Sequence, residues 1–345
     1  MDENMTTAPI SRHSPPHGKG GVFFRQPKSF RFLHWLLVCC SAMALLLVFA
    51  AYNIFPQETL PVLNKDNVIP TSTTAVSRPP TDAAVLKVAI GAMISPKDTE
   101  IYYRQLLQYI GNALNIRVEL VQRKTYAEIN ELLTTGDIQL AFICSGPYAL
   151  SAEQRGFHLL NTPEVQGRPT YRSYLIVHKD SAIASLDDLR GKIFAFTDPD
   201  SNTGSLVPRF WLLQRGVTSG DFFKSTIFTY SHDNSMYAVA RGLVDGAAVD
   251  SLIWDFYAHN KSEIATKTKI IRRSEEYGIP PLVASPAMPL IQRNIIQSLL
   301  LHMHENAEGK KILGELLIDR FVLPEDSWYA SIREMQQTMH QLEKP

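Results

Sequence analysis

The chain has 345 residues, 45% of them hydrophobic, with 34 Lys and Arg against 34 Asp and Glu. That is enough apolar material for one large or two medium domains. The balanced charge gives no reason to expect nucleic acid, or long-range steering of a charged ligand.

Residues 1–31 are polar, include SPPHGKGG, and read as a disordered cytoplasmic tail. Residues 32–55, FLHWLLVCCSAMALLLVFAAYNIF, contain no Asp, Glu, Lys or Arg. Such a run is long enough to cross the roughly 30 Å hydrocarbon layer as a helix. Trp35 and Tyr52 stand near its ends, where amphipathic rings favour the interface. Arg25, Lys28 and Arg31 precede it, which predicts a cytoplasmic N-terminus, a single-pass inner-membrane anchor and a periplasmic remainder. A cleaved signal peptide is the alternative, but its apolar region would be shorter, about 7–15 residues. A lipoprotein site at Cys40 would need a small residue where Cys39 stands. Of three cysteines, Cys39 and Cys40 lie in this run, so Cys144 has no partner for a disulfide in the exported part.

Residues 56–84, with VIPTSTTAVSRPPTDAA, read as a linker. From Val85 short apolar runs alternate with amphipathic segments. LKVAIGAM, IRVELVQ and IQLAFICS read as strands; EIYYRQLLQYIGNAL, YAEINELLTTG and PYALSAEQRG read as helices. YRSYLIVHK, KIFAFT, a helix near 205–215, STIFTYS, NSMYAVARG, GAAVD and SLIWDFYAH follow, and 290–342 reads as helical. The alternation predicts an α/β fold with parallel sheets covered by helices on both faces. About one hundred residues between YRSYLIVHK and PLVASPAM form their own series, so residues 85–345 are expected to make a bilobed periplasmic domain. One lobe would take 85–174 and 282–345, the other 175–281.

In open α/β sheets ligands bind beyond the carboxyl ends of strands. After KIFAFT comes Asp198-Pro199-Asp200-Ser201-Asn202-Thr203-Gly204-Ser205, entering a helix. A helix start presents unpaired N–H groups and favours an anion. Four hydroxyl residues within nine positions, Thr197, Ser201, Thr203 and Ser205, exceed what a cap needs. The other strand-end loops carry Ser145-Gly146-Pro147-Tyr148, Ser231-His232-Asp233-Asn234 and Asp250-Ser251. Together they predict a small pocket of neutral donors suited to a compact oxyanion. Taken singly, Ser and Asp before a helix are ordinary caps, Tyr126 and Tyr171 are core aromatics, and Cys144 is a small buried apolar residue.

TDPDSNTGSLVP resembles the TDPxSTSGxLVP segment of periplasmic phosphate/phosphite/phosphonate-binding proteins of ABC transporters. VHKDSAIASLDDLRGKIFAF, SHDNSMYAVARGLVDGAAVDS and GDIQLAFICSGPY resemble further stretches of that family, so the likeness covers most of residues 86–340. It implies a type II periplasmic binding fold of the venus-flytrap kind. It also implies that Ser201, Asn202 and Thr203 hold the phosphonate oxygens, joined by His232, Tyr126, Tyr171 and Asp250, while Gly204, with no side chain, lets a ligand approach the backbone. Asn202 stands where the family has Thr, and Thr203 where it has Ser. The implied role is capture of a phosphonate- or phosphate-like oxyanion for an ABC permease. A sensor subunit signalling to a membrane kinase is the alternative, favoured by the spanning segment. An enzyme using Cys144 and His232 is a third reading. The chain has no supporting Cys/His motif, metal-ligand spacing or Walker loop, so neither catalysis nor a cofactor is expected.

Overall fold

The computed structural model describes residues 85–342, apart from Ala92 and Lys261. The expected tail, membrane span and linker therefore lie outside the described residues. Among those described, no helix is long and apolar enough to cross a membrane.

The first half runs β1 (Val85–Ile90), α1 (Pro96–Leu114), β2 (Arg117–Val121), α2 (Tyr126–Thr135), β3 (Leu140–Phe142), α3 (Ser145–Arg155) and β4 (His158–Glu164). The short strand β5 (Thr170–Tyr171) then leads to β6 (Ser173–His178). There follow β7 (Ile193–Phe196), a π-helical turn at Asn202–Leu206, α4 (Val207–Leu213), α5 (Ser219–Phe222) and β8 (Ser225–Phe228). Next are α6 (His232–Ala240), β9 (Gly246–Asp250), α7 (Ser251–His259), α8 (Glu263–Thr266) and β10 (Thr268–Arg273). The chain returns through β11 (Tyr277–Gly278) and β12 (Leu282–Ala284). It ends with α9 (Leu290–Leu301), α10 (Ala307–Glu315), β13 (Arg320–Val322) and α11 (Ala330–Leu342).

Two sheets form. The first has the order β13-β4-β12-β3-β1-β2 and the second β10-β6-β9-β7-β8. Between them the chain crosses twice, and the crossings pair as an antiparallel ribbon with Tyr171 opposite Tyr277 and Thr170 opposite Gly278. Strand β1 is parallel to β2 and β3, and β7 is parallel to β8 and β9, as the alternation predicts. The sheets are nevertheless mixed, which corrects the expectation of parallel sheets. Strands β6 and β12 carry the chain in from a crossing and enter against their neighbours' direction.

The C-terminal stretch is also corrected, because it is not helical throughout. Strand β13 interrupts it and pairs antiparallel with β4 at the sheet edge, where Arg320 meets Glu164 at 2.8 Å. Three residues are too few to display a two-residue period, so only the partner strand reveals them.

Strands β6 and β9 are buried along almost their whole length, which explains their continuous apolar runs. One apolar cluster includes Ala89, Ile129 and Val283 on the first-sheet side and Leu175, Phe194 and Trp211 on the second. Helix α11 adds Ile332, Met335 and Met339 to the same cluster.

Candidate functional site

Strand β7 delivers the polar turn. The Ser201 hydroxyl caps the turn by accepting the Gly204 N–H at 3.0 Å. Gly204 is sterically required, since a Cβ there would stand 2.4 Å from Thr197 Oγ1. Its absence lets the turn close onto the end of β7. Helix α3 approaches from the first-sheet side with Gly146 at its second position. A Cβ on Gly146 would lie 2.7 Å from the Asp200 carbonyl oxygen, so the bare backbone permits the helix start and the turn to meet.

Residues distant in sequence converge at that meeting. The Asn202 side-chain amide donates to the Tyr171 hydroxyl at 3.3 Å, and the Asn202 N–H points at Cys144 Sγ at 3.5 Å. Ser145 Oγ donates to the Gly278 carbonyl at 2.6 Å and is also a partner of Tyr171. The Tyr126 N–H donates to Asp198 at 3.2 Å. The His232 N–H donates to the Met93 carbonyl at 2.9 Å, and the Ser95 N–H to Asp233 at 3.0 Å.

These contacts bury strongly polar groups. Ser201, Asn202, Thr203 and Ser205 are fully buried; His232 is 1% exposed and Asp250 2%. His232 Nδ1 accepts the Asp250 N–H at 3.1 Å and faces the Thr197 hydroxyl at 3.1 Å. Its ring proton is therefore assigned to Nε2, from the bond the other nitrogen makes. Burial pushes the imidazole down to about 3, so the ring is a neutral donor at physiological pH. Burial raises the Asp250 carboxyl to about 7, although its Oδ1 caps α7 by accepting the Leu252 N–H at 2.7 Å. Asp198 is also raised by burial.

Four buried atoms in this cluster have no hydrogen-bond partner within the protein: Tyr126 OH, Asn202 Oδ1, Thr203 Oγ1 and Ser205 Oγ. A buried polar group without a partner costs roughly 1–3 kcal/mol, so such groups are rare and call for a reason. Among the described residues only three others share the condition, Asn161, Arg293 and His304.

The sequence-predicted residues divide accordingly. Tyr126, Ser145, Tyr171, Ser201, Asn202, Thr203, Gly204, His232 and Asp250 come together. Tyr148 does not: its hydroxyl donates to Asp326 at 3.0 Å, and its ring meets Tyr329 edge-on at 4.5 Å. Sequence reasoning left out Thr197, Asp198 and Ser205 as site residues. Ser205 carried a visible signal, standing in the same hydroxyl-rich turn. Asp198 stands in the same loop, but its contact with Tyr126, far away in the chain, could not be read from it.

This architecture is that of periplasmic binding proteins. A binding component of an ABC phosphonate transporter from Pseudomonas aeruginosa superposes with a TM-score of 0.71 at 24% identity, over 76% of this chain and 88% of that one. PhnD1 from Prochlorococcus marinus, solved with methylphosphonate, superposes at 0.67 with 20% identity, over 74% and 98%. The chain belongs to the family described as "ABC transporter, phosphonate, periplasmic substrate-binding protein", whose profile matches residues 88–329. Among curated relatives, the phosphate-import protein PhnD of Mycolicibacterium smegmatis is 33% identical over 197 residues, 53% of this chain and 60% of its own length. The phosphonates-binding periplasmic protein of Escherichia coli is 27% identical over 235 residues, 66% of this chain and 69% of its own length.

Proposed function

We propose that this chain is a membrane-anchored solute receptor that captures a phosphonate- or phosphate-like oxyanion between its two sheets for ABC-type uptake. The observation that carries this reading is the cluster of partnerless buried atoms at the start of a helix. Thr203 Oγ1, Ser205 Oγ and Tyr126 OH are hydroxyls that can donate to anion oxygens. Backbone N–H groups of the turn and the neutral His232 ring add donors without adding charge. Asn202 Oδ1 can only accept, so it suits a protonated oxygen or an N–H on the ligand.

The two groups of strands act as lobes that close on the ligand by bending at the crossing ribbon. Residues 32–55 hold the receptor in the inner membrane, with the described part in the periplasm. An alkaline phosphatase fused at the C-terminus should be active, and a reporter active only in the cytoplasm would overturn that topology.

Nucleophilic catalysis is disfavoured by the site's electrostatics. Burial raises the Cys144 thiol to about 12 and lowers His232 to about 3, the reverse of an activated thiolate–imidazolium pair. Calorimetric titration of the full chain with inorganic phosphate, phosphite, methylphosphonate and sulfate tests the binding reading. Saturable binding of at least one phosphorus oxyanion is expected, and heat-silent titrations with all of them would refute it.

A further inference from the structure

Beside the polar cluster lies a cavity of about 700 Å³. That is within the range of small-molecule sites and far more than a tetrahedral oxyanion needs. Tyr171 and Asp250 line it, so the cluster and the cavity share a wall. Beyond that wall the lining turns apolar: Phe142 and Ile279 on the first-sheet side, and Leu252, Ile253 and Phe256 from α7. The Tyr102 ring, also in the lining, meets Phe256 edge-on at 4.8 Å.

The guanidinium and carboxylate groups of the lining are engaged with their neighbours. Arg168 and Arg172 both pair with Glu276, at 3.0 and 2.8 Å. Asp319 accepts the Gly167 N–H at 2.7 Å, and Asp255 accepts from the Tyr174 hydroxyl at 3.4 Å. Both guanidinium groups are thus held by Glu276 rather than set out for a second phosphate. Polar side chains such as Thr170, Ser251 and His259 share the lining, but its larger part, next to Asp250, is the aliphatic and aromatic wall of Leu252, Ile253 and Phe256.

We infer that this cavity receives the organic substituent of a phosphonate, and that the substituent is apolar, of the aryl or branched alkyl class. The inference rests on the oxyanion reading above and names the substrate class of the same site. The phosphonate head sits at the polar turn, and the carbon bonded to phosphorus points past Tyr171 and Asp250 toward Leu252. Affinity then rises with apolar area on the substituent.

The test is calorimetry on the full chain with four probes: inorganic phosphate, methylphosphonate, 2-aminoethylphosphonate and phenylphosphonate. Phenylphosphonate should bind at least tenfold tighter than methylphosphonate and tighter than the cationic 2-aminoethyl compound. Leu252→Trp, which fills the cavity from α7, should collapse the phenyl-to-methyl ratio to about one. Melting temperature measured in parallel reports whether that variant folds, and Phe256→Ala serves as the second variant, lowering the ratio at least threefold. If methylphosphonate binds but phenylphosphonate binds no tighter, or if the aminoethyl compound binds tightest, the inference fails while the oxyanion reading stands. The same holds if the ratio survives in both variants. If none of the four binds, this inference fails, and if phosphite is silent as well the oxyanion reading fails with it.

Discussion

Two helix starts in this protein look alike in sequence and differ in chemistry. At α2, Thr125 accepts the Glu128 N–H at 3.2 Å while Glu128 accepts the Thr125 N–H at 2.9 Å. Each side chain satisfies the other's backbone, Glu128 is exposed, and nothing is left over. At the 202–206 turn, Ser201 alone does the capping. Asn202, Thr203 and Ser205 are buried and keep atoms with no partner in the protein. A cap stabilises its helix with the groups that capping requires. The second start buries additional polar groups at a cost to stability, and binding an oxyanion would recover that cost.

The largest effect expected concerns a third helix start, at Asp250, which caps α7 but is buried as well. Its folded carboxyl is raised to about 7, above the unfolded value, so folding takes up protons between about pH 4 and 7. Stability from this group is therefore lost as pH rises through that window. Asp250→Asn, which keeps a capping oxygen, should stabilise the protein at pH 8 by on the order of 3 kcal/mol, fading to nothing near pH 4. Urea unfolding at several pH values reads it. A pH-independent difference would show that Asp250 behaves as an exposed carboxylate cap.

Next comes the direct contrast in binding. Thr203→Ala should weaken oxyanion affinity by roughly tenfold to a hundredfold, the worth of one hydrogen bond to a charged ligand. Thr125→Ala should leave affinity unchanged. His232→Ala should weaken binding too. If Thr203→Ala and His232→Ala both bind normally in calorimetry, the polar turn is only a cap.

A smaller effect has the opposite sign. Tyr126→Phe removes a partnerless buried hydroxyl and should raise stability without added ligand by about 1 kcal/mol while weakening binding. Melting curves with and without methylphosphonate check both halves, and a destabilised variant would mean that the hydroxyl already has a partner. The smallest effect is the ordinary one. Thr125→Ala should cost about 0.5–1 kcal/mol by loss of its cap.

Much of this was legible beforehand because it is local. Hydrophobic period marks α1, α2 and α3, and the turn before α4 advertises itself by composition. The resemblance in TDPDSNTGSLVP and the neighbouring stretches names the family before any coordinates. Short β13 and the antiparallel entry of β6 and β12 were not legible, since each is defined by a partner strand far away in the chain. Tyr148 misled for the same reason: the sequence places it in a strand-end loop, yet it lies in α3 and its hydroxyl is taken by Asp326 from the C-terminal region.

The sequence by itself determined most of the long helices and the buried strands, where a donor-rich helix start stands, and which family the chain resembles. These follow from neighbours a few residues apart, where periodicity, capping and backbone freedom act. Only the tertiary structure decided that Asn202 would meet Tyr171, that Gly146 would let α3 reach the turn, and that His232 would be neutral while Asp250 holds its proton up to about 7. Those depend on burial, and burial is created when distant segments exclude water from one another.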